Sequence, residues 1–297
     1  MINPHPGLPE LEYLKPSSLE EASKFLADHA GEARPFSGGT DSFVRLRDGV
    51  WKTSTLVDVK HLDGTNELSF NPNKGLTIGA AVTMNKVASN ADVLKHYPNL
   101  AEAARSVASY QLRNRATIVG NICNASPAGD TIGTCMILDG VLNVHGVSGF
   151  YSVPLSNFFL GPGKTVLKPG DIVISITLPI PPKGLVGTYK KLGRNTIGDL
   201  SIVGVAVLGY PTHETKSGYR FRIALASVAP TPYESFKAEA VLSENPITAD
   251  SIAEAAQAAM DSVTPIDDVR GSARYRKFMV RNLTREAITE TWKKISK

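Results

Sequence analysis

Apolar positions recur along this chain with two periods, about 3.6 and 2, and their alternation outlines the fold. Pro16–Glu21 opens a first helix. Ser18 and Glu21 have capping-box spacing, and Ala22, Phe25 and Leu26 form its apolar face. Phe36 ends an extended segment, Phe43–Leu46 reads as a short helix or turn, and Thr55–Val59 reads as a β-branched strand, so the opening is βαβ-like. Leu76–Ala80 is a strand after the turn Asn71–Asn73, and Thr83 caps a helix through Val87. A helix from Pro98 presents Leu100, Ala103, Ala104, Val107 and Ala108. Ile132, Met136 and Ile137 lie on another helix, followed by a strand at Val141–Val144. Val153–Leu155 and Phe158–Thr165 read as loop, and Asp171–Leu178 as a buried strand closed by Pro179–Pro182. Beyond that proline cluster, Ser201–Leu208 and Phe221–Val228 form two antiparallel strands joined by the polar stretch Pro211–Gly218. Thr248 caps a helix with Ile252, Ala256, Ala259 and Val263 inward, and the last helix presents Tyr275, Phe278, Met279, Leu283, Ile288 and Trp292. The pattern predicts an α+β protein with divisions at 1–60, 61–179 and 180–297.

Two stretches break the apolar pattern with small and polar residues. One is Pro35-Phe36-Ser37-Gly38-Gly39-Thr40-Asp41-Ser42. The other runs from Gln111 to Thr131 and contains Thr117-Ile118-Val119-Gly120-Asn121, Asn124, Ser126 and Asp130. Glycine lets a backbone approach a ligand closely. Ser126-Pro127 is expected to open a helix with Asp130 in its first turn. Loops of free N–H groups that feed a helix start suit phosphate. Two of them, 80 residues apart, could clamp one diphosphate, although ordinary turns share the same composition.

These residues resemble the FAD-binding subunit of the molybdenum hydroxylases, the group that includes xanthine, carbon monoxide and nicotinate dehydrogenases. The resemblance covers nearly the whole chain. It rests on both loops, on Arg113-Asn114, on Asn121-Ile122-Cys123-Asn124-Ala125-Ser126-Pro127 and on Phe158-Phe159-Leu160-Gly161-Pro162-Gly163-Lys164-Thr165. It implies a two-subdomain FAD-binding fold of the vanillyl-alcohol-oxidase/PCMH type, followed by a C-terminal α/β domain with an antiparallel sheet and helices. It also implies FAD contacts at Pro35, Phe36, Ser37, Gly38, Gly39, Thr40, Asp41, Ser42, Val107, Thr117, Ile118, Val119, Gly120, Asn121, Asp130, Val173 or Ile174, Tyr189 and Lys190. Asp130 would accept from ribose or adenylate groups, Tyr189 would shield a flavin face, and Lys190 would stabilise anionic reduced flavin. Relatives usually carry a glycine where this chain has Val119, so the second loop either sits differently or offers fewer amides.

The resemblance further implies partners: an iron–sulfur subunit with [2Fe–2S] clusters and a molybdopterin subunit, in a hetero-oligomer that is itself dimerised. Electrons would arrive from those clusters and leave as hydride to NAD(P)+. The substrate, an N-heterocycle such as nicotinate or a purine, would bind the molybdenum subunit. Nicotinate dehydrogenase is the member most similar in character. The competing readings are a stand-alone flavoprotein oxidase or reductase and a binding scaffold without redox function.

Composition removes other classes. The 297 residues are 42% hydrophobic and 20% charged, with net charge +4, ordinary for a globular protein. Without a Lys/Arg tract, nucleic-acid binding is not expected. No apolar run is long enough for a membrane span. Met1–Pro6 lacks the features of a signal peptide, which points to the cytoplasm. Cys123 and Cys135 are too few for an iron–sulfur cluster or a disulfide scaffold. The six histidines show no metal-ligand spacing, and no nucleophile elbow, Walker loop or Rossmann fingerprint occurs.

Overall fold

A computed structural model of the chain describes residues 7–195 and 198–297. The stretch Met1–Pro6, read above for the absence of a leader, lies outside the described residues.

The N-terminal layer is a parallel sheet in the order β1-β3-β2, built from β1 (Glu12–Leu14), β2 (Ala33–Phe36) and β3 (Thr55–Asp58), with α1 (Leu19–Asp28) and α2 (Ser42–Arg47) in the connections. Ser18 Oγ accepts from the Glu21 amide at 3.2 Å, as the spacing predicts. The Glu21 carboxylate, however, accepts from the amide and hydroxyl of Ser17 rather than from the Ser18 amide, so the box closes one residue early.

A five-stranded antiparallel sheet follows. Its first strands are β4 (Leu68–Asn71) and β5 (Gly75–Gly79). The helices α3 (Met84–Ser89), α4 (Ala91–His96), α5 (Pro98–Ser106), α6 (Tyr110–Arg113), α7 (Ile118–Cys123) and α8 (Ile132–Ile137) come next. β6 (Val141–Gly146) and β7 (Gly149–Pro154) then form a hairpin, and β8 (Phe159–Gly161) with β9 (Lys164–Thr165) forms a small separate one, where a loop was expected. β10 (Ile172–Leu178) enters the centre, giving the order β4-β5-β10-β6-β7. The register of β10 against β6 slips between Val173 and Ser175. Ile172 and Ile174 pack with Leu19, Ala22 and Val57 of the N-terminal layer, whereas Val173 and Ile176 pack with the second sheet and its helices. One bulged strand therefore serves two cores.

The C-terminal sheet is antiparallel, in the order β11-β12-β13-β14, with β11 (Val186–Leu192), β12 (Val203–Pro211), β13 (Tyr219–Ala226) and β14 (Tyr233–Glu234). It is covered by α9 (Phe236–Glu244), α10 (Ala249–Asp261) and α11 (Ala273–Ile295). Thr248 and Ser251 complete a reciprocal capping box on α10. On α11 the expected face holds at Met279, Leu283, Ile288 and Trp292, which pack in the core, and departs at Tyr275 and Phe278. Arg276, Val280, Thr284, Ala287, Ile288 and Thr291 are buried, while Tyr275 and Phe278 are exposed. At the first turn the buried position is taken by Arg276. It is the largest fully buried side chain, with hydrogen bonds to Ile202 O (3.1 Å), Ser227 O (2.9 Å) and Asp268 Oδ1 (2.6 Å), so a charged residue holds a core position that hydropathy assigns to an aromatic. No described helix is long and apolar enough to cross a membrane.

Candidate functional site

A cavity of about 700 Å³ is lined by the N-terminal layer, by the second sheet with its helices and by residues 198–200, and is within the size range of small-molecule and cofactor sites. Both small-residue stretches line it. Pro35, Ser37, Gly38, Gly39, Thr40, Asp41 and Ser42 line one wall, and Thr117, Val119, Gly120 and Asn121 the other, with Val107, Asp130 and Val173 beside them.

The stretches touch. A Cβ built on Gly38 would overlap the Arg115 carbonyl oxygen and lie 3.2 Å from Ala116 Cα, so only glycine lets the loops approach this closely. At Gly39 φ is +75°, and a Cβ would meet the Phe36 ring at 2.6 Å. Several contacts fix the pair: Ser37 Oγ donates to Ala80 O (2.9 Å), the Met84 amide donates to Ala116 O (2.8 Å), and Thr83 bridges Thr117.

Thr117–Asn121 is not a loop. Thr117 caps α7, its hydroxyl accepting from the Gly120 amide at 2.9 Å, and Ile118 and Val119 begin the helix. Ile118 is fully buried in the core, a contribution of about 2 kcal/mol to anchoring this wall. The Val119 side chain also packs inward, leaving its amide at the free helix start. Ser126-Pro127 opens a turn rather than a helix. Ser126 Oγ accepts from the Ala128 amide, and α8 begins only at Ile132, so Asp130 precedes that helix.

Arg113 explains the motif before the second wall. Its Nη1 donates to Val107 O (2.8 Å) and Ala108 O (3.1 Å), and its Nε donates to Asn85 Oδ1 (3.2 Å). Asn114 accepts from Asn85 at 2.8 Å. This clamp holds Ala108, which lines the cavity, at φ +42°, a strained conformation for a non-glycine residue. Gly163 and Thr165 of the Leu160–Thr165 stretch line another side, and the Gly163 amide donates to Ala125 O (2.9 Å).

Phe36, Ile118, Ile174, Tyr189 and Lys190 are not among the lining residues. Ile174 is turned into the N-terminal core by the β10 bulge, leaving Val173 on the cavity side. Along β11 side chains alternate between faces. Lys190 faces α11, pairing with Glu286 (2.8 Å) and Glu290 (2.5 Å). Tyr189 and Lys191 face Asp130. The Tyr189 hydroxyl donates to Asp130 Oδ1 (2.8 Å), and Lys191 Nζ donates to Oδ2 (2.7 Å) and to Ser106 O (3.0 Å). Both oxygens of Asp130 are thus engaged by the C-terminal sheet, a tie from the cavity lining to that sheet rather than the free ribose acceptor expected above. Burial raises the Asp130 pKa, and Lys191 partly offsets this. Burial, with Asp130 alongside, pushes the Tyr189 phenol well up, keeping it a neutral donor.

Sequence reasoning passed over Arg34, Arg45 and Trp51. The Arg34 guanidinium lies 4.2 Å from the Trp51 ring centroid and that of Arg45 5.4 Å, all three line the cavity, and neither arginine has a carboxylate partner among the described residues. The signal was present: Arg34 adjoins the first loop, and Arg45 follows Asp41 by one helical turn. Burial raises the Asp41 pKa, while Arg45 holds it down. Gly198, Asp199 and Leu200 also line the cavity, and the Arg194 hydrogen bonds and charge lower the Asp199 pKa to about 2.

These residues fit a dinucleotide carrying a diphosphate. The cradle is open because Gly38 and Gly39 lack side chains, two arginines without a salt bridge among the described residues line it, and Asn124 Oδ1, in the cavity wall, is buried without a partner.

Comparison with known proteins agrees. Residues 9–181 match the family described as FAD binding domain in molybdopterin dehydrogenase, and residues 187–291 match the CO dehydrogenase flavoprotein C-terminal domain. The chain is 31% identical over 286 residues to the carbon monoxide dehydrogenase medium chain of Hydrogenophaga pseudoflava, covering 96% of this chain and 98% of that one. It is 28% identical over 279 residues to the xanthine dehydrogenase FAD-binding subunit of Escherichia coli O157:H7, covering 94% of each. A solved structure of carbon monoxide dehydrogenase from Hydrogenophaga pseudoflava lacking the Mo-pyranopterin moiety superposes with a TM-score of 0.91 at 30% identity, covering 97% of this chain and 99% of that one.

Proposed function

The chain belongs to the family of FAD-binding medium subunits of the molybdenum hydroxylases, and from that premise we propose that it carries the flavin of a hetero-oligomeric oxidoreductase. In this reading the cavity would hold FAD, with Gly38–Asp41 and the amide of Val119 as the groups that would receive its diphosphate. Arg34 and Arg45 supply positive potential, and Asn124 finds its missing partner. The chemistry FAD supplies when bound is the exchange of single electrons for a two-electron hydride. The chain's own residues bind, orient and exclude water. The Asp130–Tyr189–Lys191 tie fixes the C-terminal sheet against the cavity, and the Arg113 clamp fixes the Val107–Ala108 turn.

The partners in this proposal are an iron–sulfur chain that delivers electrons and a molybdopterin chain that hydroxylates an N-heterocycle such as nicotinate or a purine. NAD(P)+ is the acceptor, the compartment is the cytoplasm, and the division at 1–60, 61–179 and 180–297 is retained. The single observation that carries the proposal is the direct approach of Gly38 to Arg115 and Ala116 at the cavity wall.

The test is to assemble the complex with and without this chain. The flavin absorption and NAD(P)+ reduction should both depend on its presence. Normal NAD(P)+ reduction by a complex without the chain would refute the assignment.

A further inference from the structure

Trp51 lies against both flanks of the first small-residue loop. That loop leaves β2 at Phe36 and enters α2 at Ser42, so Arg34 stands shortly before it and Arg45 shortly after it. The Arg34 guanidinium is 4.2 Å from the Trp51 ring centroid and that of Arg45 5.4 Å, both within the range of cation–π attraction. Further bonds fix the same residues. The amides of Val50 and Trp51 donate to Arg45 O at 2.9 and 3.2 Å, and Arg34 Nε donates to Thr53 Oγ1 at 3.1 Å. The Trp51 side chain packs on the small core of Phe36, Leu46 and Leu56.

Two like charges gathered on one ring repel each other. Burial, and then the Arg45 charge, lower the Arg34 pKa. A carboxylate between them would relieve the repulsion, yet neither arginine forms an ion pair among the described residues. Asp41, the residue before α2, makes none with Arg45. Both arginines are half-buried, and both line the cavity with Trp51. Two cations held together without a counter-charge, at the edge of a cavity, form a site whose missing member is an anion.

We propose that Trp51 is a positioning residue for phosphate recognition: its ring holds Arg34 and Arg45 at the two flanks of the loop, where together they receive a phosphoryl group of the bound dinucleotide. The proposal rests on the flavin-subunit reading above and deepens it. Discrimination between a phosphorylated and an unphosphorylated flavin then depends on a side chain that carries no charge of its own.

The test titrates the full-length deflavinated chain with FAD and with riboflavin. Trp51→Leu should weaken FAD about tenfold and leave riboflavin within about twofold. Trp51→Phe, which keeps a ring face, should recover most of the FAD loss. Arg34→Gln/Arg45→Gln should also lose FAD selectively. Adding Trp51→Leu to that pair should bring no further loss, because the ring acts only through the two cations. Additive losses, or an equal loss of riboflavin, overturn the proposal and leave Trp51 a packing residue. Inorganic pyrophosphate gives a measurement that keeps the ring in place. It should change the tryptophan emission of the wild-type chain and leave that of Arg34→Gln/Arg45→Gln unchanged. No change in the wild-type chain overturns the proposal even where Trp51→Leu fails to fold. A wild-type chain that does not bind FAD overturns the earlier reading; wild-type FAD affinity in folded Trp51→Leu overturns this one alone.

Discussion

Replacing Gly38 with alanine tests whether the two cavity walls act as one site. The added Cβ would overlap the Arg115 carbonyl oxygen and crowd Ala116 Cα at 3.2 Å. Both obstacles are backbone, so no side chain can swing aside. Ordinary carbon–oxygen contact requires the walls to part by about 1 Å. That displacement breaks or stretches at least one amide-to-phosphate hydrogen bond, and a bond to a charged group is worth about 1.5–3 kcal/mol. The FAD dissociation constant should therefore rise about tenfold to a hundredfold. The assay is titration of the deflavinated chain with FAD, following quenching of flavin fluorescence. Gly161→Ala, where nothing lies within 4 Å of the new Cβ, is the matched control. Wild-type FAD affinity in a properly folded Gly38→Ala chain would refute the reasoning, because the walls would not be jointly engaged.

Three further outcomes follow from the same geometry. Asp130→Asn leaves Lys191 buried without its counter-charge and should lower stability by about 3–5 kcal/mol, seen in thermal unfolding and partly restored by Lys191→Met; an unchanged melting temperature would contradict the tie. Arg113→Lys keeps the charge but cannot span Val107 O, Ala108 O and Asn85 together, so FAD affinity should fall about tenfold while circular dichroism stays the same. Burial, aided by repulsion from Glu234, raises the Glu239 pKa from 4.5 to about 8. The folded state therefore holds this proton more tightly than the unfolded one. The stabilisation is full below about pH 4.5 and is lost as pH rises through about 8. Glu239→Gln should flatten that decline in denaturant midpoints measured across the interval.

Much of this arrangement was legible from residue order. The β-branched runs at Thr55–Val59, Leu76–Ala80 and Asp171–Leu178 and the paired runs at Ser201–Leu208 and Phe221–Val228 correspond to strands. The two Gly/Ser/Thr stretches do meet. Other features depended on tertiary context. A bulge decides which of Val173 and Ile174 reaches the cavity, and strand phase decides which of Lys190 and Lys191 meets Asp130. At the start of α11 a buried Arg276, rather than Tyr275 or Phe278, takes the core position, while Met279, Leu283, Ile288 and Trp292 pack as their hydropathy predicts. α9 went unassigned because it is short and weakly amphipathic, and β4 because its four residues sit at an edge of the sheet. Arg34 and Arg45 belong to no motif, and only their place beside Trp51 and the cavity marks them.

The central claim is that both walls grip one diphosphate, and calorimetric titration of the deflavinated chain with FAD and with riboflavin, which shares the isoalloxazine but lacks phosphate, tests it most directly. FAD should bind tightly and riboflavin at least a hundredfold more weakly, about 2.7 kcal/mol or more, with the gap narrowed in Gly38→Ala. Equal affinity for the two ligands would contradict the claim.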